Sequence, residues 1–544
     1  MAADAGQILQ RFEKLTSARS TIDQQWRECY DYTMPIRGQQ LRAPGSLMSA
    51  GETASASRDR QAEIFDSTAT DCVRLLASSL MSGLTPANSR WFELKAEGVD
   101  DDAAEVWLDE SADALWELIH STNYDAIGFE GMLDMSIAGW CTFFVDEDFD
   151  RGITFDLWPI AGVYAAASIP GGRIDTWFRR MQMSAEQALS TYGPRVSEST
   201  RDKAQSASGK DDMIDFVQAI YPRRNAQGVL ARNLPYASVH VERTAKQVVR
   251  ESGYHEAPCI SPRWTVIPDS VYAVGPTRDA LPDVKTLNQL KQFVLANADL
   301  AIAGMWVATD DGVLNPKTLK IGPRKVIVAA NPDNIKPLQP AGNFDVSALL
   351  VDDLQRSIRK VMLADQLQPQ DGPAMTATEV HVRVELIRQL LGPVYGRLQA
   401  EMLQPLVERC FGVAYRAGYF GPAPQALSGR NMTVHYRSPI ARSQKLVDVS
   451  AMDRFEMSLI QAAQTRPEVM DVYRWDDAQR EKGEKLGVPL ELLVTEDELA
   501  EIREKQNAMQ QAMNDAQAAG QLAALDGQLA KAGKDRAGAQ QVGA

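Results

Sequence analysis

The sequence has few cysteines and histidines, and those it has stand far apart. Its 544 residues include five of each. No two cysteines have the C-x-x-C spacing of a zinc or redox site, and an odd number of scattered thiols favours a reducing compartment over a disulfide framework. A zinc site is therefore not expected. The cysteines are Cys29, Cys72, Cys141, Cys259 and Cys410.

Long apolar runs are also missing. No stretch approaches the roughly 20 apolar residues that span a bilayer. The N-terminal MAADAGQILQRFEKL contains acidic residues and lacks the apolar core of a secretory signal. With 44% hydrophobic and 24% charged residues, the composition is typical of a soluble globular protein. The length predicts about three or four domains.

Positive charge is in short supply. The chain has 57 Lys and Arg against 72 Asp and Glu, which gives a net charge of −15. Proteins that bind nucleic acid tightly gain affinity by neutralising phosphates with basic residues. We therefore do not expect this chain to grip DNA over its whole surface. The net charge is compatible with a protein that lets a polyanion move past it without binding it tightly.

An incomplete metal motif lies in DEDFDRG. Asp146, Asp148 and Asp150 have the spacing of the first three ligands of a calcium-binding loop. However, Arg151 stands where the turn needs glycine, and Leu157 stands where the bidentate glutamate belongs. An acidic hairpin turn is the favoured interpretation.

Other catalytic motifs are incomplete as well. SGKDD around Lys210 lacks the first glycine of a phosphate-binding loop and the Ser or Thr after the lysine. HEAP at His255 lacks the second histidine of a zinc protease, and no G-x-S-x-G occurs. We therefore expect no catalytic residues, no metal ligands and no cofactor.

The whole chain is predicted to be α+β and predominantly helical, with a mixed first half. CTFFVDEDFDRGITFDLWPI alternates and turns like a β-hairpin. Residues 43–57 are rich in Ala, Gly and Ser and predict a flexible loop. Helices are predicted over 5–33, from Asp66 or Ser67 to Leu84, and over 103–120 and 123–137. Strands are predicted in RWFEL, FVQAIYPRRN, HVERTAKQVVRESGY and PCISPRWTVIPDSVYAVGP.

After Gly275, two predicted helices bracket a short β-rich segment. The first covers 281–303, with Pro282 near its start and Gly304 just past its end. The second covers 347–366 and carries an apolar face of Leu350, Leu354, Ile358 and Val361.

The segment between these helices holds a basic cluster. Five basic residues and one acidic residue, Asp333, give it a net charge of +4 in an acidic chain. The cluster suits a surface that contacts a partner or DNA, and a solvated loop with ordinary lysines is the alternative. The basic residues are Lys317, Lys320, Arg324, Lys325 and Lys336.

A polar loop over 367–375 leads into a long predicted helix. Apolar residues recur every three or four positions from Val380 to Val413, which is α-helical periodicity. Thr376 and Glu379 have the T-x-x-E spacing of a capping box at its start.

A Gly-Pro pair interrupts this helix. Pro393, after Gly392, cannot donate a hydrogen bond to the carbonyl of Gln389, so a kink is expected there. The apolar stripe keeps its phase across the pair, which favours one bent helix over 376–417, roughly 60 Å long. Two ordinary helices joined at Pro393 are the alternative. Pro405 predicts a second bend by the same argument.

The last part of the chain is predicted to be mostly helical. NMTVHYRSPIARSQKL predicts a strand followed by a turn. Helices are predicted over 447–464 and 496–516. The Ala-, Gln- and Gly-rich end predicts a fraying helix or disorder.

Three stretches together resemble the portal, or head-to-tail connector, proteins of short-tailed bacteriophages. They lie in the beginning, middle and later third of the chain, and the A-T-E-V start followed by Gly-Pro inside the helix is the most specific feature. The order helix, β-rich tip, helix, loop, long helix adds to the resemblance. The stretches are EIFDSTATDCVRLLASSLMSGLTPANSRWFEL, MTATEVHVRVELIRQLLGPVYGRLQAEMLQPLVER and VHYRSPIARSQK.

The resemblance implies a ring of subunits, typically twelve, around a DNA channel. It makes residues 1–276 the wing, 277–304 the first stem helix, 305–346 the clip, 347–366 the second stem helix, 367–376 the tunnel loop, 377–442 a return to the wing, 443–516 the crown, and 517–544 a tail that is an extended helix or disordered.

The resemblance also implies functional residues. The basic cluster would lie in the clip and contact a partner or DNA, and Asn288, Gln289 and Gln292 would form an uncharged stripe on the channel wall or an intersubunit seam. Thr376, Glu379, Gly392 and Pro393 would set the start and kink of the long helix. The tunnel loop would comprise Gln368, Pro369, Gln370, Asp371, Gly372, Pro373, Ala374 and Met375.

The implied partners are those of a virion component assembled in the host cytoplasm. They are capsid and scaffold proteins, the large terminase subunit, tail adaptor or nozzle proteins, and double-stranded DNA that passes without sequence specificity; no membrane is involved. ATP hydrolysis would belong to the terminase motor. One alternative is another ring or adaptor protein of the virion, although adaptors are usually shorter and lack the stem–clip–stem order. A less favoured alternative is a metal-dependent hydrolase that uses the cluster from Asp146 to Asp150.

Overall fold

A computed structural model describes most of the chain. The chain divides into two compact units, Met1–Ile440 and Ala441–Ala544, and each is described by itself. The described residues are 4–42, 50–96, 101–148, 152–223, 233–303, 305–308, 335–338, 344–367, 392, 394–427, 432–436, 439–463, 466–486, 488, 499, 502–506, 508–509 and 511.

Helices supply most of the first unit. In chain order they are α1 (Ala5–Asp31), α2 (Pro35–Gly38), α3 (Ala50–Gln61), α4 (Thr68–Leu84), α5 (Asp102–Ser121), α6 (Tyr124–Ala138), α7 (Ala185–Tyr192), α8 (Glu198–Gln205), α9 (Pro276–Ala303), α10 (Phe344–Val361), α11 (Ala364–Leu367) and α12 (Gln404–Arg416). Short 3-10 turns lie at Gln39–Arg42, Ile160–Gly162, Gly193–Arg195 and Gln425–Leu427.

The strands pair in antiparallel fashion throughout the described residues. They are β1 (Phe92–Ala96), β2 (Phe143–Asp148), β3 (Gly152–Leu157), β4 (Val163–Ala166), β5 (Thr176–Ser184), β6 (Met213–Pro222), β7 (Tyr236–Glu242), β8 (Gln247–Tyr254), β9 (Cys259–Ile260), β10 (Thr265–Val266), β11 (Ala273–Val274), β12 (Met305–Ala308), β13 (Ile335–Leu338) and β14 (Met432–Tyr436). One sheet has the order β4-β5-β6-β7-β8 and another the order β3-β2-β9, while β1 pairs with β14, β10 with β11 and β12 with β13.

The five-stranded sheet is covered on both faces. Successive strand residues point to opposite faces, so the neighbours Phe216 and Val217 enter different clusters. Val217 packs with Phe12 of α1, and Phe216 packs with Tyr192 of α7. Burial on both faces explains why β6 is almost continuously apolar instead of alternating.

Arg19 ties α1 to the loop before this sheet. Its guanidinium is 1% exposed and lies 2.8 Å from Asp23 Oδ1. It donates hydrogen bonds to the carbonyls of Ile160 and Ala161, both at 2.9 Å, and to that of Val163. Burial raises the pKa of Asp23, although the charge of Arg19 opposes the shift. A buried carboxylate of this kind depends on its single counter-charge.

A glycine contact joins α6 to the start of α9. Gly139 ends α6 with φ +85°, in the left-handed region. A Cβ atom there would lie 2.1 Å from the carbonyl carbon of Val274. Only glycine allows the two backbones this close.

The long helix departs from α geometry one turn before Pro405. Gln399–Leu403 forms a π turn, and the Gln404 amide donates to the Gln399 carbonyl, five residues back. Pro405 cannot donate to the carbonyl of Glu401 and its ring would clash with it, so the wider turn relieves the clash. The predicted disturbance at Pro405 is therefore confirmed as a π turn.

Two buried arginines form ion pairs that hold this helix against the rest of the first unit. Arg263 makes a two-pronged ion pair with Glu401 in the π turn, at 2.9 and 2.6 Å. Arg409 of α12 lies 3.0 Å from Glu256, which also accepts two hydrogen bonds from Arg416 at 2.6 and 2.9 Å. Bidentate pairs of this type fix orientation as well as distance.

Two predicted segments near the N-terminus and at the end of the first unit are wrong in part. Residues 50–61 form α3 although 50–57 were predicted to be loop, because Ala and Arg favour helix more strongly than the scattered Gly and Ser oppose it. The predicted turn after β14 is the start of a helix at Pro439, where a proline at the first helical position needs no amide partner.

The helices around the β-rich segment also differ from prediction. α9 begins at Pro276, so Pro282 lies inside the helix rather than at its start. α10 ends at Val361, because Leu363 has φ +60° and breaks the chain into the separate turn α11. Apolar residues keep helical spacing across this break, so the sequence pattern did not indicate it.

The second unit contains α13 (Pro439–Ala463), the 3-10 turn Pro467–Val472 and α14 (Trp475–Leu486). The first residue of α13 lies two positions before the first residue of the unit. Lys482 of α14 donates to Asp453 and Glu456 of α13, both at 2.6 Å. Arg503 makes a two-pronged pair with Asp476 at 2.7 and 2.6 Å. Ion pairs therefore join successive helical segments of this unit.

All five cysteines lie in the described part of the chain, and all are buried and free. Burial raises the pKa of the Cys72 and Cys410 thiols to about 12, which makes them unreactive. Among the described residues, no helix combines the length and the apolar character required to cross a bilayer.

Replacing Arg19 with Ala should lower the free energy of unfolding by about 3–5 kcal/mol, because Asp23 would lose its buried counter-charge and three carbonyls would lose their donor. Urea unfolding measures the change. Lys14→Ala is the matched control: Lys14 is an exposed cation on the same helix, and its replacement should cost less than about 0.5 kcal/mol. Equal unfolding midpoints for the two variants would contradict the assignment.

Candidate functional site

The predicted order of helix, β-rich tip and helix is present. α9 leads into β12, β13 returns antiparallel to it with Met305 opposite Leu338, and α10 follows. α9 and α10 pack against each other. We refer to α9 and α10 as the helix pair, and to the rest of the first unit as the body.

The two ends of the helix pair differ in burial. Near the body, Leu287 of α9 and Ile358 of α10 are almost fully buried. Toward the tip, apolar side chains face solvent: Phe293 is 58% and Leu349 71% exposed. Leu295 and Leu350 are half exposed as well. The pair is therefore rooted in the body by apolar contacts and carries uncovered apolar groups further out.

Asp66 connects both helices to the body. Its Oδ1 accepts the Thr68 amide at 2.9 Å and so caps the start of α4. Its Oδ2 accepts Gln355 Nε2 of α10 at 2.8 Å and lies 3.6 Å from Lys291 Nζ of α9. One carboxylate therefore contacts α4, α9 and α10.

The charge of Asp66 is favoured at this place. Burial by itself would raise the pKa of Asp66, but the hydrogen bonds from Thr68 and Gln355 and the charge of Lys291 outweigh burial, and its pKa lies below the usual value. Asp66 is therefore ionised at neutral pH and acts as an acceptor only.

Three more hydrogen bonds complete the joint. Asn288 of α9 donates to the Glu63 carbonyl at 2.9 Å and accepts the Phe65 amide at 2.7 Å. Ser357 of α10 donates to Asp283 of α9 at 2.7 Å. A polar cavity of about 360 Å³ opens beside these contacts, between the start of α4 and the helix pair. The joint is therefore polar and accessible to water rather than close-packed.

These contacts correct one prediction. Asn288 was expected on the same uncharged stripe as Gln289 and Gln292. The structure turns Asn288 toward the body, where both of its polar groups are bonded, and leaves Gln289 and Gln292 exposed. The stripe thus consists of the two glutamines alone.

Most of the predicted site residues lie outside the described part of the chain. This holds for the whole tunnel loop, 368–375, and for Thr376, Glu379 and Pro393. Gly392 is helical and exposed. Of the basic cluster, only Lys336 falls in a described segment, opposite Val307 in the paired strands of the tip; Lys317, Lys320, Arg324 and Lys325 lie outside.

The acidic hairpin gives no support to a metal site. Asp146 and Asp148 lie on β2, and the strand pairs with β3 as the hairpin prediction required. Asp150 and Arg151 lie outside the described residues. Within the part of the chain that the structure describes, no three His, Cys, Asp or Glu side chains are grouped so that they could hold a metal.

Sequence reasoning missed most of the joint. Asp66 or Ser67 was predicted to cap α4; Ser67 holds the N-cap position without a side-chain bond to the helix start, and Asp66 accepts the first helical amide, that of Thr68. Its bonds to Lys291 and Gln355 join residues more than 220 positions apart, and no periodicity or spacing signals such a contact. The position of Asp66 in EIFDSTATD, the first of the stretches that carry the resemblance, was the one available hint.

Comparison with known proteins gives a consistent result. The family model described as "Bacteriophage head to tail connecting protein" matches residues 5–493. The chain is 28% identical over 535 residues to the probable portal protein of Bordetella phage BPP-1. The aligned region covers 94% of this chain and 92% of that protein. The chain is 26% identical over 544 residues to the portal protein of Salmonella phage epsilon15, with 95% and 93% covered. It is 21% identical over 411 residues to the portal protein of Escherichia phage T7, with 73% and 72% covered.

Replacing Asp66 with Asn should destabilise the first unit by about 1–3 kcal/mol, because the charge that Lys291 and Gln355 bond is removed. Hydrogen exchange should quicken in the parts of α9 and α10 near the joint. Since the pKa of Asp66 is lowered on folding, its contribution is complete well above pH 4 and is lost as the pH falls through the lowered value. The difference in unfolding free energy between wild type and variant should therefore shrink in acid.

Asp59→Asn serves as the control for this experiment, because Asp59 is an exposed carboxylate on α3. It should leave both stability and exchange unchanged. If Asp66→Asn behaved like Asp59→Asn at neutral pH, the joint would not depend on this carboxylate.

Proposed function

Because the chain belongs to the bacteriophage head-to-tail connecting protein family, we propose that it is the portal subunit of a short-tailed phage and that its copies close into a ring at one capsid vertex. DNA would be packaged and ejected through the centre of the ring. The observation that carries this proposal is the family match over residues 5–493. The resemblance inferred from three stretches of sequence is thereby confirmed at the level of the family.

Side-by-side packing of subunits is supported by the helix pair. Two packed helices cannot bury apolar groups on their outer sides, and Phe293, Leu295, Leu349 and Leu350 remain half or more exposed toward the tip. Burying such a side chain contributes about 1.5–3 kcal/mol. A neighbouring copy placed beside the helix pair would cover these residues, and the same contact repeated around a rotation axis closes a ring. We propose twelve subunits for the ring, the number typical of the portal family that the sequence resembles.

The charge of the chain suits a channel through which DNA moves. At −15 per subunit, a ring offers few strong phosphate contacts, which would otherwise hold the duplex. The exposed Gln289 and Gln292 are uncharged and fit such a wall. We assign the tunnel loop to 368–375, where Gly372 permits movement and uncharged side chains touch DNA without binding it tightly.

The partners follow from a position at the capsid vertex. We assign the clip to 305–346, and there the terminase large subunit would dock during packaging and a tail adaptor or nozzle protein afterwards. Capsid and scaffold proteins would contact the outer part of the ring. The family is a structural one, and we propose no catalytic role, cofactor or metal for this chain; hydrolysis of ATP would belong to the motor.

Electron microscopy of the purified protein tests the ring. Top views should show a hollow annulus with one fixed symmetry. Changing Phe293 and Leu349 to Glu should prevent ring formation, because each ring contact would then bury a charge, while the circular dichroism of the subunit stays unchanged. Sedimentation velocity measures the loss of the assembly.

Ile169→Glu is the matched control, since Ile169 is as exposed as Leu349 but lies in the β4–β5 connection. It should leave the ring intact. Solid particles in wild type would exclude a portal, and rings formed by the Phe293/Leu349 variant would exclude the helix pair as the contact.

The proposed clip generates a second experiment. Changing Lys320, Arg324 and Lys325 to Glu should weaken pull-down of the terminase large subunit or of the tail adaptor at least tenfold, because the net charge of the basic cluster reverses. Ring formation should persist.

A charge-matched control changes Arg173, Arg195 and Lys210 to Glu, all of them exposed residues of the body. Both partners should bind this control normally. Unaltered binding of both partners by the clip variant would discard the assignment of the cluster.

A further inference from the structure

An aromatic cluster lies at the end of α12, outside the joint and away from the helix pair. The helix ends in a turn in which the Tyr419 amide donates to the Ala414 carbonyl and the Gly418 amide to the Tyr415 carbonyl, both at 3.0 Å. Gly418 has φ +72°. This is the hydrogen-bond pattern of a Schellman motif, and it reverses the chain so that the residues after the helix fold back on its last turns.

The reversal stacks aromatic rings. Phe420 lies on Phe411 with centroids 5.0 Å apart and planes at 18°, and Tyr415 lies on the same ring at 5.9 Å and 16°. Tyr419 meets Phe420 edge-on. Phe411 is buried, yet Tyr415 is 51% and Tyr419 52% exposed. Tyr415 therefore packs on the buried ring of Phe411 and Tyr419 on the half-buried ring of Phe420, while about half of each tyrosine remains exposed.

α5 extends this surface with carboxylates. Trp107 packs edge-on against Phe420 and donates from Nε1 to the Gly421 carbonyl at 3.3 Å. Val106, beside it, is 36% exposed. Val106, Glu110 and Glu117 are spaced by four and seven residues, so they lie on one side of the helix.

The carboxylates of this side are not neutralised locally. α5 contains six acidic residues and no Lys or Arg. Arg90 pairs with Asp109 at 2.5 Å and with Asp113 at 2.9 Å. Glu110 and Glu117 are exposed and form no ion pair with any described residue. We call Val106, Glu110, Glu117, Tyr415 and Tyr419 the aromatic–acidic surface.

We propose that the aromatic–acidic surface docks a basic amphipathic helix of another protein. Half-exposed, preorganised aromatic rings are typical binding anchors. Their faces attract Lys and Arg side chains, and the unpaired glutamates add charge complementarity. Nucleic acid would be repelled by the same glutamates. From Val106 to Glu117 the surface is roughly 16 Å long, which matches about three turns of a partner helix.

The proposal stands apart from ring formation. It requires only the first unit, and it assigns to this surface neither the terminase nor the DNA. The same surface on a second copy could not be the partner, because glutamates would then face glutamates.

Peptide binding to the full-length protein tests the proposal. The probe is a fluorescently labelled peptide of about 18 residues, made of Leu, Lys and Ala with one apolar face, long enough to be partly helical in water. It should bind in fluorescence anisotropy. A peptide with Glu in place of Lys should not bind, and a scrambled peptide with the same lysines but no apolar face should bind at least tenfold more weakly.

Two variants probe the two parts of the surface. Tyr415→Ala with Tyr419→Ala removes the anchors, and Glu110→Lys with Glu117→Lys reverses the charge. Each should raise the Kd at least tenfold. Glu186→Lys with Glu198→Lys changes the net charge by the same amount at exposed positions of α7 and α8 and should leave the Kd within about twofold.

Three results would overturn the proposal. Equal binding of the scrambled peptide would mean general attraction to an acidic protein, and equal weakening in the Glu186/Glu198 control would mean the same. Binding by the Phe293/Leu349 variant but not by assembled wild type would mean that a second copy of the chain covers the surface. Circular dichroism of the variants checks that each is folded.

Discussion

The carboxylate of Asp66 is the point on which the arrangement of the helix pair depends. It caps α4 and accepts from Gln355, with Lys291 close by, so α9 and α10 keep a fixed position relative to the body through one group. A polar joint of this kind is directional, whereas apolar packing alone would allow the pair to slide. The adjoining cavity gives water access to the joint. The root of the helix pair is therefore fixed by oriented bonds as well as by the apolar contacts of Leu287 and Ile358, and the exposed apolar residues lie further along the pair.

Among the described residues four arginines are buried, Arg19, Arg180, Arg263 and Arg409, and three of them join elements of the first unit. Arg19, Arg263 and Arg409 are almost fully buried and each is matched to a carboxylate or to backbone carbonyls. Removing a partner from such a pair leaves an uncompensated charge, so these contacts fix which elements pack together. Because they are buried, these three arginines present no cationic group to solvent.

Sequence patterns predicted what depends on local chemistry. Apolar periodicity located α1, α4, α5 and α6, alternation located the β2–β3 hairpin, and the cap at Asp66 was recognised from its type and place. The failures have physical reasons too. Pro282 was taken as the sign of a helix start, yet it lies inside α9, which begins at Pro276. Leu363 adopts a left-handed conformation that its side chain does not favour, so nothing in its type predicts the break after α10. Contacts such as that between Asp66 and Gln355 are set only when distant elements meet.

The charge around an exposed apolar surface indicates what covers it. The side chains of Gln289 and Gln292, which lie on the same helix as Phe293, are exposed and uncharged. Tyr415 and Tyr419 belong to an aromatic cluster that reaches Trp107 of α5, the helix that carries Glu110 and Glu117. The proposed surface would therefore repel an identical one and attract a basic one. Aromatic rings that are already packed in the free protein lower the entropy lost on binding. Under the two proposals, the helix pair would contact another copy of the chain, and the aromatic–acidic surface would select a basic partner over both DNA and another copy.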